Sequence, residues 1–286
     1  MVWNQIKTIL LLGVLTAIML TVGRLLGGTT GLTVALVIAI VMNAITYFWS
    51  DKIVLFMYGA KEAKKTDFPE LHKIVEEVAH AAHIPKPKIY IAPIQTPNAF
   101  ATGRNPSHAA IACTQGILQL LTKEELKGVI GHEIGHVTNR DILVTTVAAT
   151  IAAVISYVAN MAQFAALFGG MRNDRENSGG SIFGMLALAI LAPIAALIIQ
   201  LAISRSREYG ADEASARVVK NPEALARALE KLESGIHQHP MQQSASIAAT
   251  SSLFIANPFN ATALLSLFST HPPIAERARR LRAMKI

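Results

Sequence analysis

The sequence predicts a mainly α-helical membrane protein, in which four hydrophobic helices form two hairpins and a polar α+β domain contains a small β-meander. Three observations predict this fold class. Hydrophobic residues make up 52% of the 286 residues and charged residues 16%, whereas about a quarter of the residues in soluble domains are charged. Four stretches are long and apolar enough to span a bilayer, which needs about 20 residues. Polar segments with helix and turn signals lie between and after these runs.

The apolar runs divide the chain into four parts. They extend approximately over Thr8 to Gly23, Gly31 to Phe48, Ile142 to Met171 and Asn177 to Ser204. A cleaved signal peptide is the alternative for the first run, but no small-residue cleavage site ends it and a second run follows at once. We therefore predict an N-terminal transmembrane hairpin over 1–50, a polar part over 51–141, a second hydrophobic hairpin over 142–204 and a second polar part over 205–286.

The positive charges predict the orientation of these parts. Lysine and arginine flank the polar ends of the runs, at Lys52, Lys61, Lys64, Lys65, Arg140, Arg205 and Arg207. Because cytoplasmic flanks of membrane helices are positive, we expect a multi-pass protein of the cytoplasmic (inner) membrane with both polar parts in the cytoplasm. The second hairpin either crosses the bilayer or lies against it. The net charge of +7 does not indicate nucleic acid binding, since no basic patch is interleaved with aromatic residues.

The first polar part contains two helices and a group of strands. The segment Asp67 to Glu70 is a capping box that predicts a helix with one apolar face. Three short β-prone segments then follow, separated by Pro, Gly and Asn turns, which indicates a meander: they are Lys88 to Ala92, Asn98 to Thr102 and His108 to Cys113. A second capping box, Thr122 to Glu125, predicts the next helix.

That next helix carries the main chemical signal, GHEIGH at 131–136. His132 and His136 are four residues apart, so on a helix both imidazoles can reach one ion. Glu133 lies at the edge of the same face, where it can accept a proton from a metal-bound water. Two imidazoles, a carboxylate and an open position are typical of catalytic zinc sites, and we expect one Zn²⁺ per chain. HExxH also occurs by chance, but a capped helix with glycines beside both histidines, which give room for the metal, favours the functional interpretation.

A third ligand is expected after the fourth apolar run. In the segment SRSREYGAD at 204–212, Glu208 and Asp212 are four residues apart and share a helix face. This suits a metal-ligand carboxylate backed by a second carboxylate that fixes the tautomer of a ligand histidine. On spacing alone, a solvated helix face beside the membrane carries equal weight.

Four blocks of sequence together resemble the HtpX family of bacterial and archaeal membrane zinc endopeptidases, which is related to the CAAX prenyl proteases and the mitochondrial Oma-type peptidases. The blocks are GHEIGH after LTKEEL, a long hydrophobic hairpin, SRSREYGADEASA, and THPPIAERARRL. The similarity covers nearly the whole chain and includes PNAFATG at 97–103. HExxH alone is unspecific, whereas the four blocks in this order are specific.

The resemblance implies a gluzincin-like fold for the polar domain and roles for several residues. Glu208 would be the third zinc ligand, and Asp212 would bond a ligand histidine. His271 resembles the family's histidine that helps to stabilise the tetrahedral oxyanion. An edge strand would pair with an extended substrate, and the residues that resemble it are Asn98, Ala99, Phe100 and Ala101. The family acts in membrane-protein quality control and the stress response.

The expected function is zinc-dependent hydrolysis of peptide bonds, in which Glu133 assists the attack of a zinc-bound water. The expected substrates are membrane proteins or unfolded polypeptides, since the helix of His132 leads directly into the third apolar run and holds the site near the bilayer. A membrane scaffold with structural zinc would need a closed site without a base. An intramembrane protease would need HExxH inside an apolar run, whereas charged residues flank it here. The oligomeric state and the cleavage specificity stay open.

Overall fold

The computed structural model describes residues 2–152, 155, 205–238, 253–255 and 272–286. Its helices are α1 (Val2–Met57), α2 (Pro69–Ala81), α3 (Gln115–Leu120), α4 (Lys123–Thr138), α5 (Ile142–Ala152), α6 (Arg205–Val219), α7 (Pro222–Gln238) and α8 (Ile274–Arg282). Its strands are β1 (Lys61–Glu62), β2 (Lys88–Ala92), β3 (Ala99–Gly103) and β4 (Ala109–Thr114). The expectations for most of the second hydrophobic hairpin and for His271 lie outside the described residues.

The first two apolar runs form an antiparallel helical hairpin within α1. The helix is interrupted at Gly27 and Gly28, and the φ of +58° at Gly28 is one that glycine adopts readily. Asn43 Nδ2 donates to Thr16 Oγ1 at 2.7 Å across the hairpin. A Cβ added at Gly31 would lie 2.1 Å from the carbonyl oxygen of Gly23, so only glycine permits this approach of the two halves.

One segment of the described residues is both long and apolar enough to cross a membrane, the second half of α1 at Gly27–Met57. The helices Gln5–Thr21 and Ile142–Ala152 are apolar but shorter. The first half of α1 packs on α5, through Leu11 and Leu15 against residues such as Val144. The helix that was expected to end at Phe48 continues to Met57, where it packs on the sheet of the polar domain.

The sheet has the strand order β1-β2-β4-β3, and the predicted meander is therefore wrong. In a meander each strand pairs antiparallel with the next, but β2 pairs parallel with β4, and β3 pairs antiparallel with β4 from the outer side. Parallel strands are buried on both faces, and β4 is buried along its whole length because it lies inside the sheet. This topology leaves β3 at an edge.

The two predicted capping boxes have different outcomes. Thr122 and Glu125 form theirs, with Thr122 Oγ1 accepting from Glu125 N and Glu125 Oε2 accepting from Thr122 N. The box at Asp67 does not form, because Pro69 begins α2 and places Phe68 at the N-cap position. The Asp67 carboxylate accepts instead from the hydroxyl of Thr66 at 2.9 Å.

Glycines on one face of α4 bring the second polar part close to the first. A Cβ at Gly131 would lie 2.6 Å from Ser215 Oγ, and one at Gly135 would lie 3.1 Å from Ala211 Cα. Both neighbours belong to α6, so these glycines make room for a helix, and the prediction that they make room for a metal is wrong. Ser215 Oγ also donates to the carbonyl of Gly128 at 2.7 Å. The close packing sets the α6 side chains opposite the histidines of α4.

Candidate metal centre

The Nε2 atoms of the two histidines of α4 face the same point. The Nε2 atoms of His132 and His136 lie 3.2 Å apart, and the rings meet edge to face. A tetrahedral ion about 2.0–2.1 Å from each nitrogen would hold two such atoms about 3.3 Å apart. His132 is buried and His136 is partly buried, so the pair lies below the surface of the domain.

Glu208 on α6 completes a group of three possible ligands. Its Oε1 lies 3.5 Å from His136 Nε2 and its Oε2 lies 3.8 Å from His132 Nε2. All three ligand atoms lie within 4.8 Å of one another. Two neutral imidazoles and one carboxylate are a donor set that suits zinc and leaves a fourth position open. The geometry thus places Glu208 beside the histidines, and not on a solvated helix face.

Asp212, one turn after Glu208, fixes the tautomer of His132. Its Oδ1 lies 2.9 Å from His132 Nδ1. An ionised carboxylate can only accept a hydrogen bond, so Nδ1 carries the proton and the lone pair of Nε2 points at the ligand group. Asp212 is buried, yet the neighbouring Arg277 holds its pKa at about 2, because that charge outweighs the effect of burial. Asp212 is therefore ionised throughout the neutral range.

Sequence reasoning missed Arg277, which α8 contributes to the same site. Its side chain is completely buried, with 0% exposed. It donates to both oxygens of Asp212, at 2.9 Å from Nε and 2.7 Å from Nη2, and to the carbonyl of Ile255 at 2.8 Å. Its Nη1 also lies 3.6 Å from Glu208 Oε2. The signal was present in the sequence, since Ile274, Arg277 and Leu281 share one apolar helix face.

Replacing Arg277 by methionine is expected to destabilise the protein by about 3–5 kcal/mol, because Asp212 would be left as an uncompensated buried charge. Thermal unfolding of the purified protein measures the loss. Arg279→Met is the matched control, since that side chain is 75% exposed and pairs only with Glu276 among the described residues. Equal unfolding midpoints for the two variants would contradict the role given to Arg277.

His136 has a carboxylate partner of its own. Asp141 Oδ2 lies 3.4 Å from His136 Nδ1, just beyond the end of α4. Burial lowers the pKa of His136, but the carboxylates of Asp141, Glu208 and Glu133 outweigh it and raise the pKa to about 9. The side chain of Asp141 therefore faces a candidate ligand from beyond the end of α4. Metal binding would have to displace the proton of His136.

Glu133 lies next to the ligand group without joining it. Its Oε2 accepts from the backbone N–H of Ala101 in β3 at 2.8 Å. Burial raises the pKa of Glu133 to about 7, against the opposing effects of His136 and of this hydrogen bond. A carboxylate that is anchored through one oxygen and titrates near neutrality is suited to accepting and returning a proton.

The edge strand β3 is buried along its whole length, and its backbone groups point alternately toward β4 and away from it. Thr114 N donates to the carbonyl of Asn98, and hydrogen-bonded pairs alternate along an antiparallel ladder, so the backbone groups of Ala99 and Ala101 point away from β4. Phe100 is buried against Tyr58. Asn98 Oδ1 accepts from Ile255 N at 3.2 Å, while its Nδ2 has no hydrogen-bond partner among the described residues.

Comparisons with known proteins agree with this geometry. A family model described as Peptidase family M48 matches residues 65–285. A protein of Syntrophobacter fumaroxidans named Protease HtpX homolog is 52% identical over 282 residues, which cover 98% of this chain and 99% of that protein. A Sulfurihydrogenibium protein of the same name is 53% identical over 283 residues, with coverages of 97% and 95%.

A solved structure shares the fold. The crystal structure of S. mikatae Ste24p superposes with a TM-score of 0.51 at 18% identity. The aligned region covers 98% of this chain and 66% of that one, so this chain spans slightly less than two thirds of Ste24p.

Proposed function

We propose that this chain, which belongs to peptidase family M48, is a zinc-dependent membrane endopeptidase that cuts membrane or misfolded proteins at the cytoplasmic face. That the chain is a metallopeptidase follows from the family and from its relatives over nearly the full length. The proposal adds the identity of the metal, the roles of the residues, the location at the membrane and the class of substrate. The observation that carries it is the group of His132, His136 and Glu208 beside the buried carboxyl of Glu133.

Zinc is the proposed metal because the donor set fits it. Nitrogen and carboxylate donors in a three-residue group with an open position are typical of catalytic zinc sites. When bound, zinc supplies Lewis-acid chemistry that polarises the scissile carbonyl and lowers the pKa of the attacking water. Asp212 and Asp141 hold the two imidazoles in the tautomer that such binding requires.

Glu133 is proposed to move the proton. The N–H of Ala101 holds Oε2, so Oε1 is the oxygen that would take the proton from the attacking water. The same oxygen would return it to the amine that leaves when the peptide bond breaks. His271 is proposed to donate to the oxyanion of the tetrahedral intermediate, by its resemblance to the family's histidine.

The substrate is proposed to bind as an extended strand beside β3. The outward N–H and C=O of Ala99 and the outward C=O of Ala101, whose N–H bonds Glu133, can extend the sheet by one strand, and Asn98 Nδ2 is a further donor just before this strand. Main-chain pairing tolerates many side chains, which suits an enzyme that removes damaged proteins. The proposed role in membrane-protein quality control and the stress response rests on this tolerance and on the family resemblance.

The membrane location is proposed from the apolar helices. The second half of α1 has the length and composition of a membrane span, and the positive charges that follow it favour a cytoplasmic location for the polar domain. The four-helix, multi-pass arrangement with domains at 1–50, 51–141, 142–204 and 205–286 remains part of the proposal. A scaffold that holds structural zinc is the rival function, and the proton acceptor beside an open position favours the enzyme.

Metal analysis is expected to find about one zinc per chain, because the described residues offer one group of three ligands. A chelator should abolish hydrolysis of casein by the detergent-solubilised protein, and added zinc should restore it. His136→Ala should lose both zinc and activity, whereas His80→Ala, on the exposed face of α2, should keep both. Two tightly bound ions per chain would overturn the mononuclear site.

A further inference from the structure

The second half of α1 marks the level of the membrane surface. Three adjacent aromatic residues, Tyr47, Phe48 and Trp49, are exposed by 38%, 51% and 47%, and the charged residues Asp51 and Lys52 follow them. Exposed aromatic rings of this kind lie at membrane–water interfaces. From the kink at Gly28 to Trp49 the helix has about 20 residues and a length of about 30 Å, which is the thickness of the hydrocarbon layer.

The edge strand β3 ends at that level. The guanidinium carbon of Arg104, the residue after β3, lies 5.7 Å from the centroid of the Phe48 ring, within the range of a cation–π contact. The turn before it is fixed, since Gly103 has a φ of +131° and a Cβ there would lie 2.2 Å from the carbonyl oxygen of His108. Arg104 thus joins the end of the edge strand to the aromatic group of α1.

The other end of β3 lies farther from the membrane. Phe100 packs on Tyr58, with ring centroids 5.1 Å apart. The two contacts are ten residues apart on α1 and four residues apart on the strand, which correspond to about 15 Å of helix and about 13 Å of strand. The agreement of these lengths shows that β3 and the end of α1 run side by side in opposite directions.

These contacts fix the distance between the Glu133 carboxyl and the membrane surface. Ala101, whose N–H holds Glu133, is three residues before Arg104, or about 10 Å along an extended strand. We infer that β3 sets the distance between the bilayer surface and the peptide bond that is cut. Membrane-anchored chains are then cleaved about three to five residues beyond their hydrophobic segment. Arg104 and Phe48 are the residues that determine this specificity. The inference rests on the proposed function and names its substrate class.

The proposed pairing also gives the substrate chain a direction relative to the membrane. The proposed substrate strand pairs antiparallel with β3, the direction that β4 takes on the other side of this strand. A chain that lies antiparallel to β3 has its N-terminal end beside Arg104, at the membrane. The anchoring helix of the substrate therefore precedes the bond that is cut.

The test is to map cuts in an anchored substrate. The full-length protein is reconstituted with zinc in phospholipid vesicles, together with a single-span helix followed by a polar segment of one repeated, cleavable sequence. Mass spectrometry of the released fragments gives the positions of the cuts. Cuts three to five residues after the helix are expected to be about tenfold more frequent than later ones, because the anchor raises the effective concentration of those bonds alone. The same segment without its anchor should show no preferred position.

Variants show whether Arg104 and Phe48 determine where the anchored substrate is cut. Arg104→Ala and Phe48→Ala should each broaden the distribution of cuts, while Arg217→Ala, an exposed arginine paired with Glu213 on α6, should leave it unchanged. Cuts spread evenly along the anchored segment, or the same distribution in all variants, would overturn the inference and leave the peptidase intact. Failure to hydrolyse even the unanchored segment would overturn the proposed function, and this inference with it.

Discussion

Glu133→Gln is expected to lower the rate of peptide hydrolysis by about 10²- to 10⁴-fold, the range that a general acid–base group contributes, and to leave zinc bound. Glutamine matches glutamate in size, and its amide oxygen can still accept from the N–H of Ala101, which now bonds Oε2 at 2.8 Å. The amide nitrogen cannot take a proton from water. Casein hydrolysis and metal content, measured on the same purified sample, separate the two effects.

The control for this variant is Glu124→Gln on the same helix. Glu124 is exposed in the first turn of α4, about two turns before His132, so both rate and metal content should remain those of the wild type. If Glu133→Gln cut casein at a rate near that of the wild type, Glu133 would have no part in proton transfer. Loss of zinc in that variant would show instead that the carboxylate helps to hold the metal.

Local features of the sequence predicted most of the helices. The capping box at Thr122 depends on residues within one turn of one another, and it is found as expected at the start of α4. A local bond of the same kind begins α7, where Asn221 Oδ1 accepts from the N–H of Ala224. Interactions of this range can be read from residue spacing alone.

The errors concern contacts between residues that are distant in sequence. The alternation of β-prone segments and turns cannot tell a meander from a sheet in which β4 inserts between β2 and β3, because both have the same strands in the same chain order. Gly131 and Gly135 were assigned to the metal because they flank the histidines, but their neighbours come from α6, more than 70 residues later.

In the metal centre too, local spacing predicted some residues and contacts distant in sequence determined the others. The spacing within GHEIGH gave His132, Glu133 and His136, whereas it left Glu208 undecided until the family resemblance favoured it. Arg277 was not recognised as a site residue, although it is fully buried and bonds Asp212. A buried ion pair between α6 and α8 leaves no local signature beyond a charge on an apolar helix face.

Glu208→Ala is expected to lower zinc affinity by more than about 100-fold, which exceeds the loss typical of groups that only support a ligand, and to inactivate the enzyme. The reason is geometric. The chain that leaves the domain after α5 must return so that α6 sets Glu208 within 3.5 Å of His136 Nε2 and 3.8 Å of His132 Nε2. Without that carboxylate two imidazoles remain, and they hold zinc weakly.

Two further variants test how zinc binding depends on the length of the Glu208 side chain and on the charge of Asp212. Glu208→Asp keeps the charge on a shorter side chain, so weak zinc binding and partial recovery of activity in excess zinc are expected. Asp212→Asn should lower zinc affinity by about 10- to 100-fold, as the loss of a group that orients a ligand histidine does. Glu208→Asp should keep the fold, whereas Asp212→Asn should also lower the midpoint of thermal unfolding, because it leaves the buried Arg277 without its ionised partner.

The matched control is Glu213→Ala on the same helix, a carboxylate that is 51% exposed and pairs with Arg217. Titration of the purified variants with zinc, read by a competing chelator, gives the affinities, and circular dichroism shows that α6 remains folded. Because Glu208 and Glu213 lie on opposite sides of α6, one facing the histidines and the other solvent, only the first should affect the metal. Equal zinc affinities in Glu208→Ala and Glu213→Ala would assign the third ligand to a different residue.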